Sequence, residues 1–185
     1  TSSSESANSR QQTEPRNHFE RTIKDIWKDL LRLDEVGIHD SFFDVGGHSI
    51  LSVRMFARIE RDLGVRLPYT SLFHATTIAQ IAALVENANE DITRWRIVVP
   101  VQTRGDKPPF FGVHAHEGGV LFWRDIVSHL PKDQPFYALQ ARGVDGLGTP
   151  LNRVPDMARL YIQEIRKVQP HGPYFIGGYS LGGEV

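Results

Sequence analysis

Residues 44–52 read Asp44-Val-Gly-Gly-His-Ser-Ile-Leu-Ser52, and the reading of this stretch decides how the first half of the chain folds. Gly46 and Gly47 free the backbone from the Cβ constraint just ahead of a helical pattern. Ser49 then falls where the first N–H groups of that helix have no intrahelical partner. A serine in such a place can cap the helix, hold an anion, or offer its hydroxyl for modification. The local residues leave all three open.

Outward from this stretch, the periodicity is helical. Upstream, Phe19, Ile23, Ile26, Trp27, Leu30 and Leu33 recur by threes and fours, which places them on one face of a helix that Gly37 should end. Residues 38–47 form a long loop whose Phe42 and Phe43 are expected to plug the core. Downstream, a second helix runs from Ser49 to Leu63 with Val53, Phe56, Ile59 and Leu63 facing inward, and Gly64 closes it as a left-handed C-cap. Arg54, Arg58 and Arg61 fall on its solvated side. Leu67, Tyr69, Leu72 and Phe73 suggest a short third helix. Thr76 and Thr77 can cap a fourth that carries Ile78, Ile81, Ala82, Leu84 and Val85.

The longer run Asp40-Ser-Phe-Phe-Asp-Val-Gly-Gly-His-Ser-Ile-Leu-Ser52, set between two amphipathic segments, resembles the attachment motif of the carrier domains of nonribosomal peptide synthetases. The resemblance extends from about Phe19 to Val85. It implies that the Ser49 hydroxyl receives a 4'-phosphopantetheine arm from coenzyme A, whose thiol then carries an aminoacyl or peptidyl group as a thioester. It places Asp44, Gly46, Gly47 and His48 around that attachment point, with His48 positional rather than an acid or base. The partners implied are a phosphopantetheinyl transferase, upstream adenylation and condensation domains, and a thioesterase domain, the chain's own or an adjacent one. Ile50, Leu51 and Met55, beside Ser49, read either as a docking surface for such partners or as core.

After a polar stretch at 87–95 the period changes. Residues 97–101 and 110–113 read as strands separated by a Gly-Pro-rich turn, 120–130 as a helix, 136–140 as a strand, 155–168 as an amphipathic helix and 174–178 as a strand. Strands alternating with helices predict a mostly parallel sheet covered on both faces. The last strand runs into Gly178-Tyr-Ser-Leu-Gly182, the G-x-S-x-G pattern of a nucleophile elbow, in which small flanking residues permit a sharp turn that exposes the serine oxygen.

This segment resembles the thioesterase domain of nonribosomal peptide synthetases, an α/β-hydrolase, and Phe110-Phe-Gly-Val-His-Ala-His-Glu-Gly-Gly119 resembles that family's strand and oxyanion loop. The resemblance implies Ser180 as nucleophile, with the backbone N–H of Leu181 and one from Ala115 or His116 stabilising the oxyanion. The family more often has small residues where His116 and Glu117 stand. His114, His116 and Glu117 could also be read as metal ligands, but no further ligand lies at a spacing that would close a site, so no metal is expected. In α/β-hydrolases the acid and histidine of the triad follow the nucleophile, whereas Val185 lies five residues past Ser180. The chain is therefore expected to be a piece of a multidomain synthetase without useful thioesterase activity as it stands. Asp156 and His129 are poor substitutes, because nothing in their sequence setting aims them at the serine.

The composition agrees with this reading and narrows it. The chain has 185 residues, is 40% hydrophobic and carries a formal charge of −1, which suits one medium domain or two small ones. Residues 18–90 hold 8 basic and 11 acidic groups, and residues 91–185 hold 11 and 9. Neither half has the basic excess of a nucleic-acid binder. No run approaches the roughly 20 apolar residues of a membrane span, and the absence of cysteine excludes disulfides and thiolate chemistry. A cytoplasmic location is the default. The expected organisation is a disordered tail or linker at 1–17, an all-α four-helix carrier bundle at 18–88, a linker at 89–95, and the N-terminal portion of an α/β-hydrolase at 96–185. The expected function is to tether and deliver thioesters; the alternative is a serine hydrolase acting through Ser180 in the full-length protein. A polyketide hybrid parent and the choice between hydrolysis and cyclisation stay open.

Overall fold

In the computed structural model, the described residues are 13–94, 96–144, 146 and 148–185. The tail expected at 1–17 lies outside them as far as residue 12. Two compact units emerge, one comprising the residues up to Tyr69 with Ala75–Thr93, the other Thr70–His74 with Arg94–Val185.

The first unit is helical. Helix α1, His18–Leu31, starts at Asn17, whose side chain accepts from the Glu20 N–H and so satisfies one of the helix's free donors. Its apolar stripe is buried as the spacing requires, with Ile23, Ile26 and Trp27 at 0–2% exposure. Gly37 does not end it. The chain leaves the helix at Arg32, in the left-handed region at φ 55°, where the N–H groups of Arg32 and Leu33 both bond the Lys28 carbonyl. Residues 13–16 lie along this helix. The Arg16 backbone N–H and guanidinium bond Glu20, and the Thr13 carbonyl accepts from Ile38. Lys24, nearly buried, is held by Glu14 and Glu35 at 3.4 and 3.2 Å.

Helix α2, Ser49–Leu63, ends at Gly64, which is left-handed at φ 71° as the sequence predicts. Helix α3, Ile78–Glu86, carries a complete capping box between Thr77 and Gln80. Both pack on α1. The third helix expected around residues 69–73 is a 3-10 turn, Tyr69–Phe73. Val53 is corrected to the surface at 49% exposure, because the inward stripe of α2 is Ser52, Met55, Phe56 and Ile59. A short helix α4, Glu90–Thr93, occupies part of the stretch read as linker.

The second unit is a four-stranded mixed sheet in the order β1-β3-β2-β4, with β1 Val98–Gln102, β2 Phe110–Val113, β3 Phe136–Leu139 and β4 Phe175–Gly178. Strand β2 is parallel to both β3 and β4, while β1 joins the edge antiparallel to β3. Strand alternation divides the core in two. On one face Phe136 and Ala138 pack with Trp123 and Val127 of helix α5, Trp123–Ser128. On the other, Phe111, Val113 and Leu139 pack with Tyr161 and Ile165 of helix α6, Val154–Val168. Helix α5 is shorter than the expected 120–130, because Val120 and Leu121 are buried in the turn that precedes it. Among the described residues, no helix is long and apolar enough to cross a membrane.

Candidate functional site

Two serines are presented by two different local constructions. In the first unit, Phe42 is fully buried edge-on against Trp27, with ring centroids 5.1 Å apart. Its backbone N–H bonds the Thr76 carbonyl, and its carbonyl accepts from Gly47. Phe42 therefore fills the core as expected, whereas Phe43 is half-buried and stacks edge-on against it at 5.6 Å. The two glycines that follow have separate reasons. Gly46 sits at φ 100°, a backbone that disfavours any side chain. Gly47 passes so close to Phe42 that an added Cβ would lie 2.4 Å from its ring and from its carbonyl oxygen. The chain thus turns tightly over a fixed aromatic plug and emerges at Ser49.

Ser49 is the first residue of α2 and is exposed. The capping position belongs to His48, also exposed, whose side chain makes no cap hydrogen bond. Of the three roles open to a serine here, capping the helix is thus not the one Ser49 fills. The Ser52 hydroxyl donates to the Ser49 carbonyl at 2.6 Å, which anchors the serine's backbone. A 15-residue helix without a side-chain cap offers unpaired N–H groups and the positive end of its dipole to an anion. A phosphodiester on the Ser49 oxygen fits that setting. Asp44 is exposed nearby in sequence, on the turn ahead of the glycines. Of the three apolar residues flanking the serine, Ile50 is 66% exposed, Leu51 is intermediate, and Met55 is fully buried, so Met55 belongs to the core and not to a docking surface.

In the second unit, β4 delivers the chain into Ser180, which stands in the left-handed region at φ 55°. A non-glycine residue there is strained and persists only where its surroundings impose it. They do so through the glycines. A Cβ at Gly178 would lie 2.0 Å from the Gly182 carbonyl oxygen, and one at Gly182 would lie 2.4 Å from the carbonyl oxygen of His114. Both positions of the G-x-S-x-G pattern are therefore set by close backbone approach. Ser180 is exposed, and Leu181 follows it in the opening turn of the 3-10 segment Ser180–Gly183.

The loop after β2 abuts this elbow. His114 is buried at 1% exposure; its Nδ1 lies 2.6 Å from the Ala115 carbonyl and its Nε2 2.6 Å from the Tyr161 hydroxyl. A carbonyl only accepts, so Nδ1 carries the proton and Nε2 accepts from the tyrosine. Burial pushes the imidazole below its ordinary value against the opposing bond to Ala115, and pushes the Tyr161 phenol up to about 12. Both ring nitrogens are engaged, which leaves no lone pair for a metal, and among the described residues no cluster of three or more potential metal ligands occurs. Ala115 is buried, while His116 and Glu117 are exposed. His129 bonds the backbone carbonyl of Asp125 and lies beside Ser128, and Asp156 pairs with Arg159. Sequence reasoning missed Tyr161. Its signal was a phenol within the apolar stripe of an amphipathic helix, where a buried hydroxyl needs a partner.

The comparisons with known proteins agree with this division. Residues 21–85 match the family described as phosphopantetheine attachment site, and residues 108–185 match the thioesterase domain family. Malpibaldin synthetase of Mortierella alpina is 43% identical over 92% of this chain, and a dimodular nonribosomal peptide synthase of Bacillus subtilis is 41% identical over the same share. The chain spans only 3% and 7% of the lengths of these relatives. Among solved structures, a complex of the phosphopantetheine transferase Sfp with coenzyme A and a peptidyl carrier protein is similar at 33% identity. That match covers 40% of this chain and 97% of the matched one, with a TM-score of 0.40. Residues 21–85 thus belong to the phosphopantetheine attachment site family and residues 108–185 to the thioesterase domain family, in a chain similar along 92% of its length to nonribosomal peptide synthetases.

Proposed function

We propose that Ser49 is the residue that carries the phosphopantetheine arm, and that the first unit acts as a four-helix carrier spanning about residues 18–88. The observation that carries this reading is the exposed serine at the uncapped start of α2, behind a glycine turn fixed on Phe42. When attached, the arm supplies a thiol that holds an acyl group as a thioester. The protein's own part is to keep the serine oxygen accessible and to receive the phosphodiester beside free helix N–H groups and the helix dipole. Tethering raises the effective concentration of the acyl group at each active site that the arm reaches, an advantage over free diffusion. Asp44, Gly46, Gly47 and His48 shape the approach to the serine. The partners follow: a phosphopantetheinyl transferase, upstream adenylation and condensation domains, and the thioesterase that receives the thioester, in the cytoplasm. Incubation with coenzyme A, Mg²⁺ and a phosphopantetheinyl transferase, read by intact mass, tests the assignment. A single adduct absent from Ser49→Ala is expected; no adduct, or one that survives the substitution, sinks it.

The strained backbone of Ser180 favours a second, compatible reading for residues 96–185. Here the unit is the N-terminal part of an α/β-hydrolase and Ser180 is its acyl-accepting nucleophile. The N–H of Leu181 and one from Ala115 or His116 face the developing oxyanion. An activated acyl thioester, with imidazole supplied as external base, should acylate Ser180. Acylation that is absent, or unchanged in Ser180→Ala, would sink this reading.

A further inference from the structure

We infer that His114 and Tyr161 form a buried positioning pair that turns one peptide plane of the loop after β2, so that the N–H of His116, and not that of Ala115, is the donor offered on the side of the Ser180 elbow. The inference rests on the hydrolase reading of the second unit and decides between the two donors which that reading leaves open.

Two consecutive peptide units, 114–115 and 115–116, set the directions of these donors. In a trans peptide the C=O and the following N–H point in opposite directions. The His114 carbonyl oxygen lies against the elbow, since a Cβ on Gly182 would meet it at 2.4 Å. The N–H of Ala115, in the same peptide, therefore points away from the elbow. In the next peptide the Ala115 carbonyl is drawn inward by the His114 ring at 2.6 Å and also accepts from Gly118 at 3.0 Å. The N–H of His116 is thereby turned outward. Gly118 permits this tight return, being left-handed at φ 79° and too close to Ala141 for a Cβ.

Tyr161 acts one step further back. Its hydroxyl lies 2.6 Å from His114 Nε2 and donates to it, which keeps the proton on Nδ1, where it reaches the Ala115 carbonyl. The ring planes are perpendicular at 89°, with centroids 5.7 Å apart, so the phenol meets the imidazole edge and not its face. Neither residue touches the reacting atoms. They are positioning residues, and their effect passes through the backbone.

The test needs no activity. Long-range proton–nitrogen correlation spectra of the histidine rings in the unmodified chain should show His114 as the Nδ1–H tautomer. Two substitutions separate the nitrogens, because an asparagine amide reaches the place of Nδ1 and a glutamine amide that of Nε2. In His114→Asn the exchange rate of the Gly118 amide and the nitrogen shift of the His116 amide should stay near wild type. In His114→Gln the Gly118 amide should exchange about five to ten times faster, as loss of one hydrogen bond implies, and the His116 shift should move. An Nε2–H tautomer in the unmodified chain, or equal effects of the two substitutions, would overturn the inference. If the hydrolase reading fails instead, Ser180 stays unacylated while the tautomer and the Asn–Gln difference persist.

Discussion

Ser49 and Ser180 are both exposed serines that stand two residues after a glycine and open a helical turn, yet their backbones differ in kind. Ser49 begins a regular α-helix and its own backbone needs nothing unusual. The strain is placed before it, at Gly46, and the tight packing at Gly47. Ser180 bears the strain itself, at φ 55°, with glycines on either side pressed against other backbone. A hydroxyl that another enzyme will modify needs access above all. A hydroxyl that must attack needs a fixed direction, and a fixed direction off the favoured backbone costs stability.

Several substitutions would sharpen or break that contrast. The largest effect is expected where the carrier loop is anchored. Phe42→Ala should cost about 3–5 kcal/mol in urea denaturation followed at the first unit, as for other fully buried phenylalanines, with modification of Ser49 lost alongside. Gly182→Ala should be next, destabilising the second unit by about 1–3 kcal/mol through overpacking against the His114 and Val113 carbonyls. A neutral Gly182→Ala would show that the elbow is looser than its distances state. Removing the side chain from each serine then tests the contrast itself. Ser180→Gly should raise the second unit's stability by about 1 kcal/mol, because the left-handed backbone no longer strains a Cβ. Ser49→Ala should change the first unit by less than about 0.5 kcal/mol. Equal effects at the two positions would erase the distinction.

The smallest effect is a pH dependence in the first unit. The hydrogen bonds from Arg16 hold the Glu20 carboxyl below its ordinary value. A depressed carboxylate contributes stability above its unfolded pKa and loses it as pH falls through the folded one. Acid titration of unfolding should therefore show a loss below the ordinary glutamate range that Glu20→Gln reduces.

Much of this was legible in the sequence, because helix and strand periods report which residues face a core. The stripe of α1, the glycine that ends α2, the threonine cap at residue 77 and the G-x-S-x-G pattern at 178–182 all follow from local spacing. The failures have physical reasons as well. Helix α1 ends on a left-handed arginine, a residue type with no signature for that backbone, so Gly37 looked like the natural stop. The sequence misplaces Val53 inward and leaves Met55 open between surface and core, because the apolar spacing of a helix does not by itself fix its rotation against the core. The pairing of His114 with Tyr161 joins residues 47 positions apart, and only the packing of α6 on the sheet reveals it.

The central claim is that Ser49 carries the arm, and it is tested most directly by locating the modification within a peptide. Trypsin releases residues 33–54, which contain Ser41, Ser49 and Ser52. The three differ in setting: Ser41 is half-buried in a bridge with Thr77, Ser52 is buried and bonded to the Ser49 carbonyl, and Ser49 alone is exposed. Tandem mass spectrometry of the peptide after transfer from coenzyme A should place the whole adduct on Ser49. An adduct on Ser41 or Ser52, or in a different peptide, would contradict the account.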